Sequence, residues 1–192
     1  MLADYKVCID ACVLANYSVS DLLLRLAERP RIYTPVLSNM ILDEVRRTHV
    51  EKLGWGEEMA DSWQAAIRES FPETIVDGFE PLVSCMTNDE KDRHVVAAAL
   101  VGKAQLIVTF NLKDFATKHL EQWRIEAQHP QDYLITLFEM KPELVISVLH
   151  NAAAKHNQTP QQRLAKLAVA IPRFAEHVAD RMGWNLKDQG SN

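Results

Sequence analysis

The stretch from Lys91 to Phe115, KDRHVVAAALVGKAQLIVTFNLKDF, holds the two patterns that decide the fold. Residues 95–101, VVAAALV, are apolar all round, as a helix buried on every side is. Residues 104–110, AQLIVTF, then run apolar with no polar alternation, which fits a strand covered on both faces of a parallel sheet. Three carboxylates, Asp89, Glu90 and Asp92, crowd the start of that helix. Acids in a first helical turn complement the positive end of the helix dipole and cap free N–H groups, so this stretch alone favours capping over catalysis.

Working outward, the same alternation recurs. Upstream, YKVCID is a short β-branched run ending in Asp10, SDLLLRLAE has helical spacing with Ser20 as a cap, and RIYTPVLS reads as a strand and turn. SNMILDEVRRTHVEKL follows as a helix capped by Ser38, then a helix between Gly54 and Phe71 and a short strand in ETIVDGF. Downstream, WRIEAQH is a last strand and Pro130 opens another helix. Strand–helix alternation of this kind predicts a three-layer α/β/α sandwich around a central parallel sheet, over residues 1–138. Pro142 marks the edge of that domain. Beyond it, an all-α extension over 139–186 contains three helices parted by Thr159-Pro160 and Pro172, the second opened by a Thr159–Gln162 capping box. Residues 187–192 read as a disordered tail.

Composition narrows the function. A chain of 192 residues, 47% hydrophobic and 24% charged, reads as a soluble globular protein. Its longest apolar run is the seven-residue segment above, far below a membrane span, and the N-terminus has no signal-peptide pattern, so the expected location is the cytoplasm. Three cysteines, Cys8, Cys12 and Cys85, make no metal-ligand pattern and read as small core thiols in a reducing compartment. The seven histidines form no HxxxH or HExxH pair, which argues against zinc. The net charge of −5 excludes a bulk electrostatic nucleic-acid binder. Charge is uneven: residues 1–138 carry 14 basic and 21 acidic side chains, whereas residues 139–192 carry 7 and 5. An acidic body can still act on a polyanion if its acids gather around metal ions.

In open parallel sheets ligands bind at the carboxyl ends of the strands. Asp10 ends the first strand, Asn111 and Asp114 follow LIVTF, and Asp92 leads the buried helix. Mg²⁺ or Mn²⁺ takes hard oxygen ligands, and several converging carboxylates need a cation to offset their repulsion. Each residue also has a plain structural role open to it. Asp10 can cap the turn after its strand, and Asp114 can pair with an Asn111 cap. Helical phasing does not choose between Asp43 and Glu44. His94 and His49 read as packed or surface residues. Arg46, Arg47 and Lys52 fit a solvated helix face as well as phosphate contacts.

The segments CIDACVLAN, PVLSNMILDEV, KDRHVVAAALVGKAQLIVTFNLKDF and HPQDYLITLF occur in the order seen in PIN-domain proteins, and the chain most resembles their VapC-type toxin ribonuclease branch over residues 5–138. The resemblance implies a metal-dependent endoribonuclease whose acids are Asp10, Glu44, Asp92 and Asp114, which selects Glu44 over Asp43. It implies that Asp10, Asp92 and Asp114 ligate Mg²⁺ or Mn²⁺ and that Glu44 positions or deprotonates the attacking water. The products would be a 5′-phosphate and a 3′-hydroxyl. Thr109 and Asn111 match polar positions beside the metal, and Arg46, Arg47, Arg93 and Lys113 are candidate phosphate contacts. The expected partners are an RNA substrate, a cognate antitoxin protein and a second copy in a homodimer, with no membrane. The rival reading is a PIN-like scaffold without activity that serves as a protein-interaction module. A haloacid-dehalogenase phosphatase is disfavoured because Ala11 and Cys12, not an Asp-x-Asp pattern, follow Asp10. A receiver domain is disfavoured because there is no acid pair near Asp10.

Overall fold

A computed structural model describes residues 5–28 and 30–186. The expected disordered tail, 187–192, lies outside the described residues. Among the described residues five strands form one parallel sheet: β1 (Lys6–Ile9), β2 (Thr34–Ser38), β3 (Ile75–Val76), β4 (Leu106–Val108) and β5 (Glu126–Gln128). The helices are α1 (Ala11–Leu14), α2 (Tyr17–Ala27), α3 (Asn39–Arg47), α4 (Glu57–Ser70), α5 (Glu80–Val83), α6 (Arg93–Gly102), α7 (Thr117–Leu120), α8 (Pro130–Met140), α9 (Pro142–Lys155), α10 (Pro160–Ala168) and α11 (Pro172–Met182). None is long and apolar enough to cross a membrane among the described residues.

The sheet order is β3-β2-β1-β4-β5, with Val7 opposite Pro35 on one side and Leu106 on the other. The chain therefore winds outward from β1 in both directions, and the order reverses between β1 and β4. In an open parallel sheet that reversal leaves a crevice beyond the strand ends, because the connections on either side run away from it. Val7, Cys8, Ile9 and the whole of β4 are buried, which is why their sequences lack polar alternation. Helix α6 packs on β1, β2 and β4, as its all-round apolar sequence requires.

The last residue of that helix is Gly102, where a Cβ would stand 2.4 Å from Val36 Cγ1 and only glycine fits. With the glycine spent on this close approach, the left-handed residue that terminates the helix is Lys103, at φ 59°. Ser38 caps α3 as expected, accepting a hydrogen bond from the Ile41 N–H at 3.2 Å, and α3 then widens into a π turn over Thr48–Lys52.

Contacts gather the chain into two units, one of Met1–Asn16 with Ala27–His129 and one of Tyr17–Leu26 with Pro130–Asn192. The grouping differs from the sequence boundary at 138 because α8 packs on α9 and α11 and so joins the helical unit. Within that unit α10 also packs on α9 and α11, around Leu134, Phe138, Leu149, Leu164, Leu167, Phe174 and Val178. The Thr159–Gln162 capping box forms in both directions, at 3.1 and 2.9 Å. Ser20 does not cap α2. The helix begins at Tyr17, and the buried Ser20 hydroxyl donates back to the Tyr17 carbonyl instead. Asp21 of α2 accepts from Arg25 and from the buried Arg163 of α10, each at 2.8 Å.

Candidate active site

The acids singled out in the sequence meet beyond the ends of β1 and β4. Asp10 follows β1, and its N–H donates to the Val108 carbonyl at 3.0 Å, which fixes it beside β4. Although it stands in the N-cap position of α1, its side chain makes no capping bond. One carboxylate oxygen of this buried residue accepts from the Thr109 hydroxyl at 2.7 Å and the Cys12 thiol at 3.0 Å. Thr109, fully buried, accepts in turn from the Asn111 N–H at 2.9 Å. Asn111 makes no capping bond, contrary to the capping-box reading of NLKD; its side-chain amide donates to Asp114 instead. Asp114 is thereby held on a short 3₁₀ turn, Leu112–Phe115.

Asp92 decides the reading of the site. The true cap of the turn leading into α6 is Asp89, which accepts from the Lys91 N–H at 3.3 Å. Asp92 occupies the N-cap position of α6 itself yet makes no capping bond. It is 7% exposed, and its Oδ2 has no hydrogen-bond partner. Burial, reinforced by the nearby Asp10, Asp114 and Glu44 charges, pushes its carboxyl up to about 7. Glu44 is half-buried, and its carboxyl is also raised, by burial first and then by Asp10, while Arg47, Lys52 and Lys91 oppose the shift. Asp114 goes the other way, held below the ordinary range chiefly by a hydrogen bond from Lys91. Neighbouring acids thus sit in contrasting protonation environments, a pattern more common at functional sites than on ordinary surfaces.

The basic side chains divide. Arg46 is engaged by Asp61 at 2.6 Å and Glu57 at 3.3 Å, and Arg93 donates to the Asn88 carbonyl at 3.2 Å. Arg47 and Lys113 are exposed and act electrostatically on Glu44 and Asp114 respectively. Three participants escaped the sequence reading. Cys12, read as a core thiol, donates to Asp10. His94 is buried; its Nδ1–H donates to the Lys91 carbonyl at 3.0 Å, and its Nε2 lies 3.6 Å from Glu44 Oε2. Lys91 brings its ammonium to 2.9 Å from Asp114 and 3.8 Å from Asp92. A lysine placed between acids in DEKD was the available signal for the last. His49, by contrast, is core: it stacks on Trp55 at 3.9 Å and meets Trp63 edge-on at 5.1 Å.

The residues fit a hard divalent cation. Their donors are carboxylate oxygens, and one of these belongs to a buried carboxyl raised to about 7 and has no hydrogen-bond partner. Among the described residues no three of these side chains stand already drawn into a ligand group; the Lys91 ammonium lies between two of them. Asp10, Asp92 and Asp114 would hold such an ion, leaving Glu44 beside it.

Known proteins carry the same arrangement of sequence. The chain is 39% identical over 101 residues to a protein of Mycobacterium tuberculosis (strain ATCC 25618 / H37Rv) described as "Putative ribonuclease VapC50". That match covers 51% of this chain and 60% of the relative, so the chain spans less than two thirds of the relative's length. No solved structure matches the chain. The PIN domain family profile matches residues 2–113, which takes in Asp10, Glu44 and Asp92 and stops one residue short of Asp114. That match spans more than half of the sequence and covers every strand up to β4, and with the parallel sheet and the acids at its switch point it means that the chain belongs to the PIN domain family.

Proposed function

We propose that the chain is a divalent-metal-dependent endoribonuclease, using Mg²⁺ or Mn²⁺, and the toxin of a toxin–antitoxin pair. The observation that carries this reading is the buried Asp92 carboxylate, neither a cap nor hydrogen-bonded at Oδ2, among Asp10, Asp114 and Glu44. A carboxylate kept in so unfavourable a setting has a use other than stability. The relative's description supplies the substrate class.

A bound divalent cation would offset the repulsion of the acids, polarise a phosphoryl oxygen and lower the pKa of water. The chain's own residues do the rest. Asp10 is held in one orientation by Thr109 and Cys12, and Asp114 by Asn111. Glu44, whose raised pKa lies nearer the operating pH than that of an ordinary carboxylate, takes the proton from the attacking water. His94 Nε2 lies 3.6 Å from Glu44 Oε2. In-line attack at phosphorus leaves a 5′-phosphate and a 3′-hydroxyl, and the RNA 2′-hydroxyl is not needed as nucleophile. Arg47 and Lys113 are the exposed cations on hand for flanking phosphates. A cognate antitoxin, a homodimeric state and a cytoplasmic location belong to the same proposal.

The test is Mg²⁺ and Mn²⁺ binding by calorimetry on wild type and Asp92→Asn, with cleavage of RNA followed on the same preparations. Wild type should bind and cleave, and chelator should stop cleavage. Asp92→Asn should lower cleavage by on the order of a hundredfold or more, the scale set by losing one preorganised charge at a reacting centre. Cleavage by Asp92→Asn at the wild-type rate would overturn the assignment. Folded wild type that neither binds metal nor cleaves RNA would favour the interaction scaffold.

A further inference from the structure

The Lys91 side chain is not one of the acids' expected companions, yet it lies between two of them. Its ammonium is 2.9 Å from Asp114 Oδ2 and 3.8 Å from Asp92 Oδ2. The two side chains that receive it are only 10–11% exposed, whereas that of Lys91 is 63% exposed. The backbone beneath it is pinned on both sides: its N–H donates to Asp89 Oδ1 at 3.3 Å, and its carbonyl accepts from His94 Nδ1 at 3.0 Å. A fixed base and a long free stem place the charge over the acids while leaving it able to depart.

We propose that Lys91 is a built-in competitor for the cation position, its ammonium holding the Asp92–Asp114 pair in the metal-free chain and leaving when a divalent ion enters, so that this one side chain sets how tightly metal binds. The inference rests on the metal-dependent reading above. Three features distinguish Lys91 from an ordinary surface ion pair. First, its partners converge on one another, whereas a surface pair joins two solvated groups. Second, the ammonium fits the position badly: it hydrogen-bonds Asp114 but at 3.8 Å gives Asp92 no hydrogen bond, so Oδ2 remains without a donor. A cation able to contact both carboxylates removes that defect. Third, a lysine ammonium is a compact point charge without the bidentate fork of arginine, and once displaced it is readily hydrated. The occupied and released states of Lys91 are therefore close enough in free energy for metal concentration to choose between them.

The experiment is calorimetric titration of the full chain, stripped with chelator and dialysed, with Mn²⁺ and separately Mg²⁺. Lys91→Met keeps the stem and removes the charge; Lys91→Gln is a second neutral variant, and Lys91→Arg keeps a cation. Both neutral variants should bind metal about three- to tenfold more tightly than wild type, the scale of a partly exposed ion pair. That advantage should shrink as salt is raised. Lys91→Arg should bind no more tightly than wild type. Equal or weaker binding by both neutral variants, with wild type still binding, would overturn the role of Lys91 and leave the metal site standing. Loss of binding in every protein, wild type included, would overturn the metal reading and this inference together.

Discussion

Two carboxylates of this chain whose side chains are only 10–11% exposed are treated in opposite ways. In the helical unit Asp21 is satisfied twice over, by Arg25 and by the buried Arg163, each at 2.8 Å. At the end of the sheet Asp92 is just as enclosed, but its nearest charges include three other acids, and one of its oxygens receives no hydrogen bond. A charge with matched donors belongs to the architecture; a buried charge among like charges costs stability unless something offsets it. The same residue type at similar depth thus has two uses, and its neighbours distinguish them.

The comparison is broken most directly at Arg163. Arg163→Ala should destabilise the full chain by about 3 kcal/mol, at the lower end for a severed buried pair because Asp21 keeps Arg25. Replacing both partners by apolar residues of similar volume, Asp21→Leu with Arg163→Met, should recover most of that loss. Urea denaturation measures both, and a loss below about 0.5 kcal/mol for the single variant would place Arg163 among ordinary surface pairs.

Asp92 should behave in the reverse sense. Its carboxyl titrates at about 7 in the folded chain, above the ordinary carboxylate range, so the folded state retains a proton that the unfolded chain has already lost. Its contribution to stability is therefore fully present below about pH 4 and is lost as pH rises through about 7. In chelator at pH 8, Asp92→Asn should be more stable than wild type by about 1–3 kcal/mol, and at pH 4 the two should be nearly equal. Denaturant midpoints at the two pH values test this. A variant less stable than wild type at pH 8 would mean that the Asp92 charge is better satisfied than its surroundings indicate.

The smallest effect sharpens the helical side of the comparison. Thr159→Ala removes one half of the capping box and should lower stability by about 1 kcal/mol while leaving metal binding unchanged. Calorimetry and denaturation on one preparation separate the two readouts, and a change in metal affinity would contradict the expectation.

Much of the sheet was legible because its information is local. Uninterrupted apolar runs mark β4 and α6 as buried on all sides, and Ser38 and Thr159 announce the helices that they cap. The start of α2 was not legible: Ser20 looks like a cap but lies inside a helix that starts at Tyr17. The sequence placed the domain edge by Pro142, with the division at 138, whereas contacts group α8 with the helical unit. Among the acids, sequence spacing supplied the candidates and resemblance chose Glu44. Burial and charge then separate the neighbours, since Asp43 is exposed and Glu44 is half-buried and coupled to Asp10.

By itself the sequence determined the parallel sheet with helices around it, the helical C-terminal region and the short list of acids, because hydrophobic period and cap chemistry act between residues a few positions apart. Resemblance separated Asp92 from the helix-starting acids, and the tertiary structure alone shows Asp89 bonded as a cap and Asp92 Oδ2 without a hydrogen-bond partner. Asp89 and Asp92 are three residues apart and chemically identical, yet one bonds its own turn and the other faces charges from Asp10 and Asp114. It also decided the partners of Asp21, 142 residues away in Arg163, and the position of Lys91 between two carboxylates. Electrostatic environment is a sum over neighbours in space, and residues far apart in sequence become neighbours only when the chain folds.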